Sequence, residues 1–149
     1  MFAAFVALSL TAAPAEPPKL SEAAEKELKK FQGKWKAEKA VTNGNEETPM
    51  TDGAEVYLEF KGRKLLLNGK EVMEVDALDP STDPKILDLK ALADMGGLRK
   101  DTVVESIYKF DGDSLVLAVH IGETKKRPDK FESPKDSNVV LVTLKKVKE

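Results

Sequence analysis

The chain has 149 residues, with 24 Lys plus Arg against 26 Asp plus Glu and a formal net charge of -2. This length fits one domain with a core of its own, and the balanced charge gives no reason to expect nucleic acid or an anionic membrane as partner. Because the chain has no Cys and only 1 His, disulfides, thiolate metal sites and a Cys nucleophile are excluded, as is most zinc and triad chemistry. We expect no cofactor and no metal.

The N-terminus is typical of an export signal. Residues 2–13 form an apolar run that is well short of the roughly 20 residues needed to span a bilayer. Small residues follow at Ala13 and Ala15, so residues 1–15 are predicted to be a signal peptide cleaved after Ala15. The basic segment that usually precedes such a run is missing, so either the Met1 amino group serves alone or the true start lies upstream; a buried N-terminal strand or helix is the alternative. We expect a secreted or periplasmic mature chain without a membrane span, and export without Cys points to a bacterial envelope.

A short helix is predicted after an extended linker. Residues 16–20 form the linker, because Pro17 and Pro18 restrict the backbone. Ser21 is a good N-cap and Gly33 ends the helical pattern. The apolar positions on one face of this helix are Leu20, Ala24, Leu28 and Phe31. A stripe this small is marginal alone, so we expect it to cover a sheet.

After Gly33 the apolar period changes from about 3.6 to about 2, which indicates strands. The eight predicted strands are 34–41, 54–60, 63–67, 71–77, 85–90, 102–110, 113–120 and 139–147. In the first of them, Trp35, Ala37 and Val41 are predicted to share one face. The pairs Asn68-Gly69 and Asp111-Gly112 are strong hairpin signals. Segments 91–101 and 122–138 are predicted to be loops.

Short strands joined mainly by hairpins, with no helical crossovers, favour an antiparallel meander. An open meander would expose two edges, so closure into an eight-stranded up-and-down barrel is the economical arrangement. We therefore predict an all-β domain over residues 21–149, with the helix covering one end of the barrel. A two-sheet β-sandwich is the second choice, because periodicity does not distinguish one closed sheet from two stacked ones.

The helical turn leading into Gly33-x-Trp35, the meandering strands and the basic pair Lys145 and Lys146 on the last strand resemble the lipocalin and calycin pattern. More closely, the chain resembles a family of uncharacterised lipocalin-like domains abundant in planctomycete bacteria and usually found behind a signal peptide. The blocks that carry this resemblance are 31–35, 78–80, 84–89, 107–113, 127–131 and 140–146. The resemblance implies that Trp35 packs across the barrel floor with Lys145 or Lys146 over it. Two features depart from the pattern: the irregular, apolar loop 91–101, and Lys where Arg is common on the last strand. The family has no assigned activity, so the resemblance implies a fold and not a task.

Several side chains are candidate sites. The predicted ligand contacts are Trp35, Phe60, Met73, Tyr108, Arg127 and Phe131, and the predicted structural residues are Gly33, Trp35, Lys145 and Lys146. A Trp at a barrel floor is more often plain core. Met50, Met73 and Met95 could adapt to an apolar ligand, although Met is more often a gap-filler. Arg127 could hold an anionic head group at the barrel mouth or dock the long loop onto a carboxylate, and docking is favoured. His120 has no neighbouring ligand type, and Asp111 and Asp113 are explained by their turn.

The predicted inward positions carry mostly medium or large side chains and the strands are short, so the sequence favours a filled or small interior. These positions are Trp35, Val56, Leu58, Phe60, Leu65, Leu67, Val75, Leu87, Leu89, Leu115, Leu117, Val119, Val140, Val142 and Leu144. Even so, the leading functional hypothesis is an exported, non-enzymatic barrel that binds a small apolar or amphipathic ligand, with its mouth near loops 91–101 and 122–137. The alternative is a protein-binding or inhibitor module of the cell envelope that uses residues 16–20 or the charged loops. An enzyme has the least support, because no nucleophile, base and orienting group can be assembled from these residues.

Overall fold

A computed structural model describes residues 19–51, 53–94, 98–121 and 127–148. The predicted signal peptide, residues 1–15, lies outside the described residues, as does most of the predicted linker. Within the described ranges no helix is long and apolar enough to cross a membrane. The helix and strands there are α1 Glu22–Phe31, β1 Gly33–Thr42, β2 Asn45–Glu47, β3 Met50–Thr51, β4 Ala54–Glu55, β5 Tyr57–Lys61, β6 Lys64–Leu67, β7 Lys70–Asp79, β8 Lys85–Ala91, β9 Val103–Asp111, β10 Ser114–His120 and β11 Val139–Lys146.

The strands close into an eight-stranded antiparallel up-and-down barrel. The barrel strands are β1 and β5 to β11, and each pairs with the next one along the chain. The barrel closes where β11 pairs with β1, with Trp35 opposite Lys146 and Ala37 opposite Leu144. The predicted fold class is confirmed, and the β-sandwich is wrong because one continuous hydrogen-bonded sheet joins all eight strands.

Helix α1 covers the end of the barrel at which β1 begins. The Ser21 hydroxyl caps it by accepting a hydrogen bond from the Ala24 backbone N–H at 3.1 Å. Ala24 and Phe31 are fully buried, and Leu20 and Leu28 pack on the same core as predicted. This end is therefore closed, and the loops at the opposite end flank the open mouth.

Gly33 makes the link from α1 into β1. Its φ of +106° lies in the region that favours glycine. The Nζ of Lys146 occupies the space that a Cβ at this position would need. The positive φ is what favours glycine here, and a Cβ would in addition displace the end of the flexible Lys146 side chain.

Three β-bulges shift which residues face inward. The first lies between Ala37 and Lys39, and it places Ala40 opposite Val142 and Val41 opposite Leu141. Val142 packs on the inner core, whereas Leu141 packs on an outer cluster. The prediction that Val41 shares a face with Trp35 and Ala37 is therefore wrong, because a bulge inserts one unpaired residue and reverses the alternation.

The other two bulges lie in the pairings of β7. One separates the pairs made by Leu65 and Leu66 and brings both Val72 and Met73 into the inner core. The other falls between Val75 and Ala77. Bulges re-aim side chains without changing the strand count, so the predicted number of barrel strands is correct although the predicted facing is not correct throughout.

The predicted strand 54–60 and the loop before it differ in detail from the structure. The segment 54–60 is divided into β4 and β5, and the connection from β1 contains β2 and the β3–β4 hairpin. Strand β2 pairs with the upper part of β1. Its sequence, Asn-Glu-Glu, is exposed throughout and has no apolar alternation, which is why periodicity does not reveal it.

Glu27 ties α1 to the barrel, although the sequence gives no signal for it. Its buried carboxylate lies 3.1 Å from the Lys30 Nζ and 3.4 Å from the Lys85 Nζ at the start of β8. Burial alone would raise the pKa of Glu27, but the hydrogen bond from Lys30 and the charges of Lys85 and Lys30 outweigh it and lower the pKa below 4.5. Ionised Glu27 therefore stabilises the docked helix.

We expect Glu27→Gln to lower the free energy of unfolding by about 1 kcal/mol near neutral pH. A carboxyl whose pKa is lowered by folding contributes stability above its unfolded pKa and loses that contribution as the pH falls through the folded value. The deficit of Glu27→Gln should therefore shrink below about pH 4. Urea unfolding followed by circular dichroism across this range measures it, and Glu25→Gln, an exposed change on the same helix, should show no such convergence. Parallel pH profiles for the wild type and Glu27→Gln would contradict the assignment.

Candidate functional site

The upper half of the barrel contains an apolar cavity of about 620 Å³. Every strand from β5 to β11 contributes side chains to its wall, and Leu98 and Ile121 contribute from the loops at the mouth. Representative wall residues are Leu58, Leu67, Met73, Leu89, Leu117 and Val142. All the side chains that line it are aliphatic or Met. Ile121 is also 59% exposed, which places it at the rim.

The local sequence explains why the barrel is open at this level. Above Trp35, strand β1 places the small side chains of Ala37 and Ala40 on the inner face, opposite Leu144 and Val142, and then Thr42 opposite Val140 near the rim. The expectation of a filled or small interior is therefore wrong for the upper half. That expectation assumed regular alternation along each strand. It did not include the small side-chain volume that β1 places inside the upper half of the barrel.

The lower half is filled by aromatic rings. Phe31 from α1 lies with its ring centroid 4.9 Å from those of Tyr108 and Phe110 and 5.2 Å from that of Phe60. The ring centroid of Trp35 lies 6.1 Å from that of Phe110. These five rings form the floor, and such tilted and edge-on pairs are favourable beyond their buried area.

Trp35 is fixed in this floor from two sides. Its Nε1 donates a hydrogen bond to the Phe31 carbonyl at 2.8 Å. The Lys146 Nζ lies 4.8 Å from its ring centroid and also donates to the Gln32 carbonyl. Lys145 is exposed and lies opposite Lys36 and Ser114. Of the two predicted basic residues, Lys146 is therefore the one that covers Trp35.

The predicted ligand contacts are thus divided among three places. Met73 lines the cavity. Trp35, Phe60 and Tyr108 come together in the floor below it. Arg127 and Phe131 belong to the outer face.

On that outer face, Arg127 fastens the segment after β10. Its Nη1 lies 2.5 Å from Asp88 Oδ1, its Nη2 lies 3.1 Å from Asp88 Oδ2, and Nη1 also donates to the Ser106 carbonyl at 3.0 Å. The hydrogen bond with Asp88 raises the pKa of Arg127 against the effect of burial. This is the docking arrangement that the sequence favoured over a head-group site.

Phe131 packs with a second, smaller apolar cluster outside the barrel, formed by Ile107, Ala118 and Val139 with Leu141. The Lys109 Nζ lies 4.7 Å from the centroid of the Phe131 ring. Because opposed residues in a sheet share a face, His120, which pairs with Val139, also lies on this outer side. None of these side chains lines the apolar cavity.

The polar groups of the inner face lie outside the cavity lining. The Ser106 hydroxyl donates to the Leu87 carbonyl. Tyr108 is fully buried, and its hydroxyl has no hydrogen-bond partner among the described residues. Burial and the negative charge of Glu27 raise the pKa of Tyr108, so its hydroxyl stays protonated. The cavity can therefore offer contact with apolar groups but no internal charge.

The remaining candidates are separate from the cavity. Met50 is 57% exposed, and Met95 lies outside the described residues. Asp111 and Asp113 flank the β9–β10 turn, as predicted. In the part of the chain that the structure describes, no group of His, Asp and Glu side chains could hold a metal ion.

Sequence reasoning identified most of the wall but not the cavity. The predicted inward residues Leu58, Leu65, Leu67, Leu89, Leu117, Val119 and Val142 all line it. Val72 was missed because of the bulge, and Leu98 and Ile121 because they lie outside regular strands. The sequence offers only the small residues Ala37 and Ala40 as a hint, and the bulge that places both on the inner face has no sequence signal of its own.

Comparison with protein-family models, with curated proteins and with solved structures finds no match to this chain. The features that bear on function are therefore the barrel itself, its closed aromatic floor and the apolar cavity above that floor.

Proposed function

We propose that this chain is an exported, non-enzymatic, lipocalin-like barrel that binds one small apolar or amphipathic molecule in its upper cavity. The observation that carries the proposal is the apolar cavity of about 620 Å³. Small-molecule sites commonly have volumes of about 300–1,000 Å³ and mainly apolar walls. Eight strands are also enough to hold one small ligand inside a barrel.

The wall determines what part of a ligand can enter. Burying apolar surface contributes about 0.8 kcal/mol for each methylene group. A polar group placed against Leu67, Leu117 and Val142 would lose its hydrogen bonds to water without replacement, which is unfavourable. The bound part of the ligand is therefore apolar, and any polar group stays at the mouth.

A carrier role is favoured over catalysis by the positions of the reactive side chains. Ser106 donates its hydroxyl proton to a backbone carbonyl, and Tyr108 is held neutral in the floor. His120 lies on the outer side of β10, away from the cavity. The groups that general acid–base chemistry would need therefore do not converge where a ligand would bind.

Filling the cavity is the direct test. We expect Val119→Trp to weaken binding of decanol at least about tenfold, which corresponds to about 1.4 kcal/mol, because the new ring would occupy the space between Leu117 and Val142. Isothermal titration calorimetry on the mature chain measures the affinity. Val116→Trp is the matched control, since Val116 precedes an inward residue of the same strand and faces outward.

Native mass spectrometry of protein purified from its producing cells provides an independent readout. The wild type should carry a bound mass that Val119→Trp has lost and Val116→Trp retains. Equal decanol affinity in both variants, or no binding by the wild type, would contradict the proposal.

A further inference from the structure

We infer that the ligand is a single-chain aliphatic anion, with its chain in the cavity and its anionic head at the rim beside Lys70, Arg99 and Lys100. This inference rests on the proposed function and adds the chemical class and the orientation of the ligand.

The aliphatic class follows from the wall. The cavity is lined by Leu, Val, Ile and Met side chains, while the described Phe and Trp rings lie in the floor or on the outer face. A planar aromatic ligand would therefore find no ring with which to stack. A flexible alkyl chain, in contrast, can follow an irregular aliphatic wall and loses little by bending.

The orientation follows from the closed floor. The rings of Phe31, Trp35 and Phe110 fill the lower half and leave the cavity accessible from the mouth. A ligand that enters chain-first therefore leaves its head at the level of the loops. Solvent reaches this level, so a charged head can keep part of its hydration there.

Lys70 is placed for such a head group. It lies directly opposite Leu67 at the β6–β7 turn, and opposed residues share a face of the sheet. Since Leu67 lines the cavity, Lys70 lies on the cavity side of the rim. It is exposed and has no ion pair or side-chain hydrogen bond with any described residue.

Arg99 and Lys100 supply two more positive charges from the β8–β9 loop. They directly follow Leu98, which lines the cavity. Both are exposed, and neither side chain is paired with a described residue. This side of the rim therefore carries three basic side chains that form no ion pair with a described residue.

The acidic residues near this side of the rim compensate only part of this charge. Asp101 is paired with Lys90 at 3.8 Å, and Asp94, which accepts a hydrogen bond from the Lys100 backbone N–H, offsets one of the three basic side chains. Glu71 follows Lys70 but lies opposite Leu66, between two cavity-lining residues, and therefore faces outward. Glu47 belongs to β2 and pairs with Ala40 of β1. Strand β1 is on the opposite side of the barrel from β8, so Glu47 lies far from Arg99 and Lys100. An anionic head is thus attracted to the side of the mouth formed by Lys70, Arg99 and Lys100.

Three amphiphiles with the same decyl group distinguish binding in the cavity from recognition of the anionic head at the rim. Their affinities for the mature protein, each measured by calorimetry below the concentration at which it aggregates, are compared for decanoate, decanol and decyltrimethylammonium. We expect decanoate to bind about tenfold more tightly than decyltrimethylammonium, because several exposed charge interactions add up to roughly this factor. The preference should decrease as salt is raised, since these charges are exposed.

Charge reversal at the rim locates the head. Lys70→Glu combined with Arg99→Glu should abolish or invert the preference for decanoate while decanol binding stays unchanged. Lys61→Glu combined with Lys145→Glu changes the net charge equally at the floor end and should leave the preference within about twofold. If the reversed protein folds poorly by circular dichroism, Lys70→Gln combined with Arg99→Gln should still reduce the preference.

The outcomes separate this inference from the proposed function. Equal binding of decanoate and decanol, or an equal effect of both double reversals, would overturn the head-group assignment and leave the cavity as the binding site. Tighter binding of naphthalene-2-carboxylate than of decanoate would overturn the aliphatic class. Binding of none of the three decyl compounds would overturn both the inference and the proposed function.

Discussion

Trp35→Ala is expected to lower the free energy of unfolding by about 3–5 kcal/mol. The side chain is only 3% exposed, so its removal leaves a cavity in the floor. It also removes the Nε1 hydrogen bond to the Phe31 carbonyl and the ring under Lys146. Because Trp35 is the only Trp in the chain, unfolding in urea should be followed by circular dichroism instead of by fluorescence.

Substitutions of Lys146 and Lys145 show how much of the stability of the floor depends on the cation above the Trp35 ring. Lys146→Ala should cost about 1 kcal/mol, since it removes the cation above the ring and its hydrogen bond to the Gln32 carbonyl. Lys145→Ala, exposed on the same strand, should change stability by less than about 0.5 kcal/mol. A loss below about 1 kcal/mol for Trp35→Ala would mean that the ring does not hold the floor together.

The fold could be predicted because its signals are local. The N-cap at Ser21, the stop at Gly33 and the turns at Asn68-Gly69 and Asp111-Gly112 all fall where the structure has them. Closure followed from the argument that open edges are avoided. The Gly33-x-Trp35 resemblance agrees with the observed floor, in which Lys146 covers the Trp35 ring.

The facing of individual residues could not be predicted with the same success. Val41 is predicted to share a face with Trp35 and Ala37, but the bulge after Ala37 places it opposite Leu141 on the outer face. A bulge bends and twists a strand locally and depends on how the strands pair in the closed barrel. Neither Glu38 nor Lys39 is a residue type that marks a bulge. The missed strand β2 is similar, since its pairing with β1 holds a polar segment that has no period of its own.

The candidate site shows where residue type stops being informative. Aromatic rings were chosen as ligand contacts because of their size, yet Phe60 and Tyr108 fill the floor instead of lining the cavity. The cavity wall consists of ordinary Leu and Val residues that look like core in any sequence. What makes them a binding wall is the absence of large inward side chains on β1 above Trp35, and this becomes visible only when the register of β1 with β11 is known.

Arg127 offers the second large expected effect, and it separates the two roles considered for this residue. Asp88 is paired with Arg127, and its side chain is only 13% exposed. Arg127→Ala would leave that carboxylate and the Ser106 carbonyl without a donor, at a cost of about 1–3 kcal/mol. Arg127→Lys should recover only part of the loss, because an ammonium group does not reproduce the two-point contact.

The comparison with ligand binding decides between the roles. If Arg127 docks the segment that carries Phe131 onto the outer face, Arg127→Ala should reduce stability and leave the affinity for decanoate unchanged. If it held an anionic head, the affinity for decanoate would fall, as is expected for Lys70→Glu combined with Arg99→Glu. The double variant Arg127→Ala with Asp88→Ala should be more stable than Arg127→Ala alone, since no carboxylate then remains unpaired. Additive losses of stability in that cycle would contradict the docking role. A fall in decanoate affinity on Arg127→Ala would contradict it too, and would move the head-group site from the rim to the outer face.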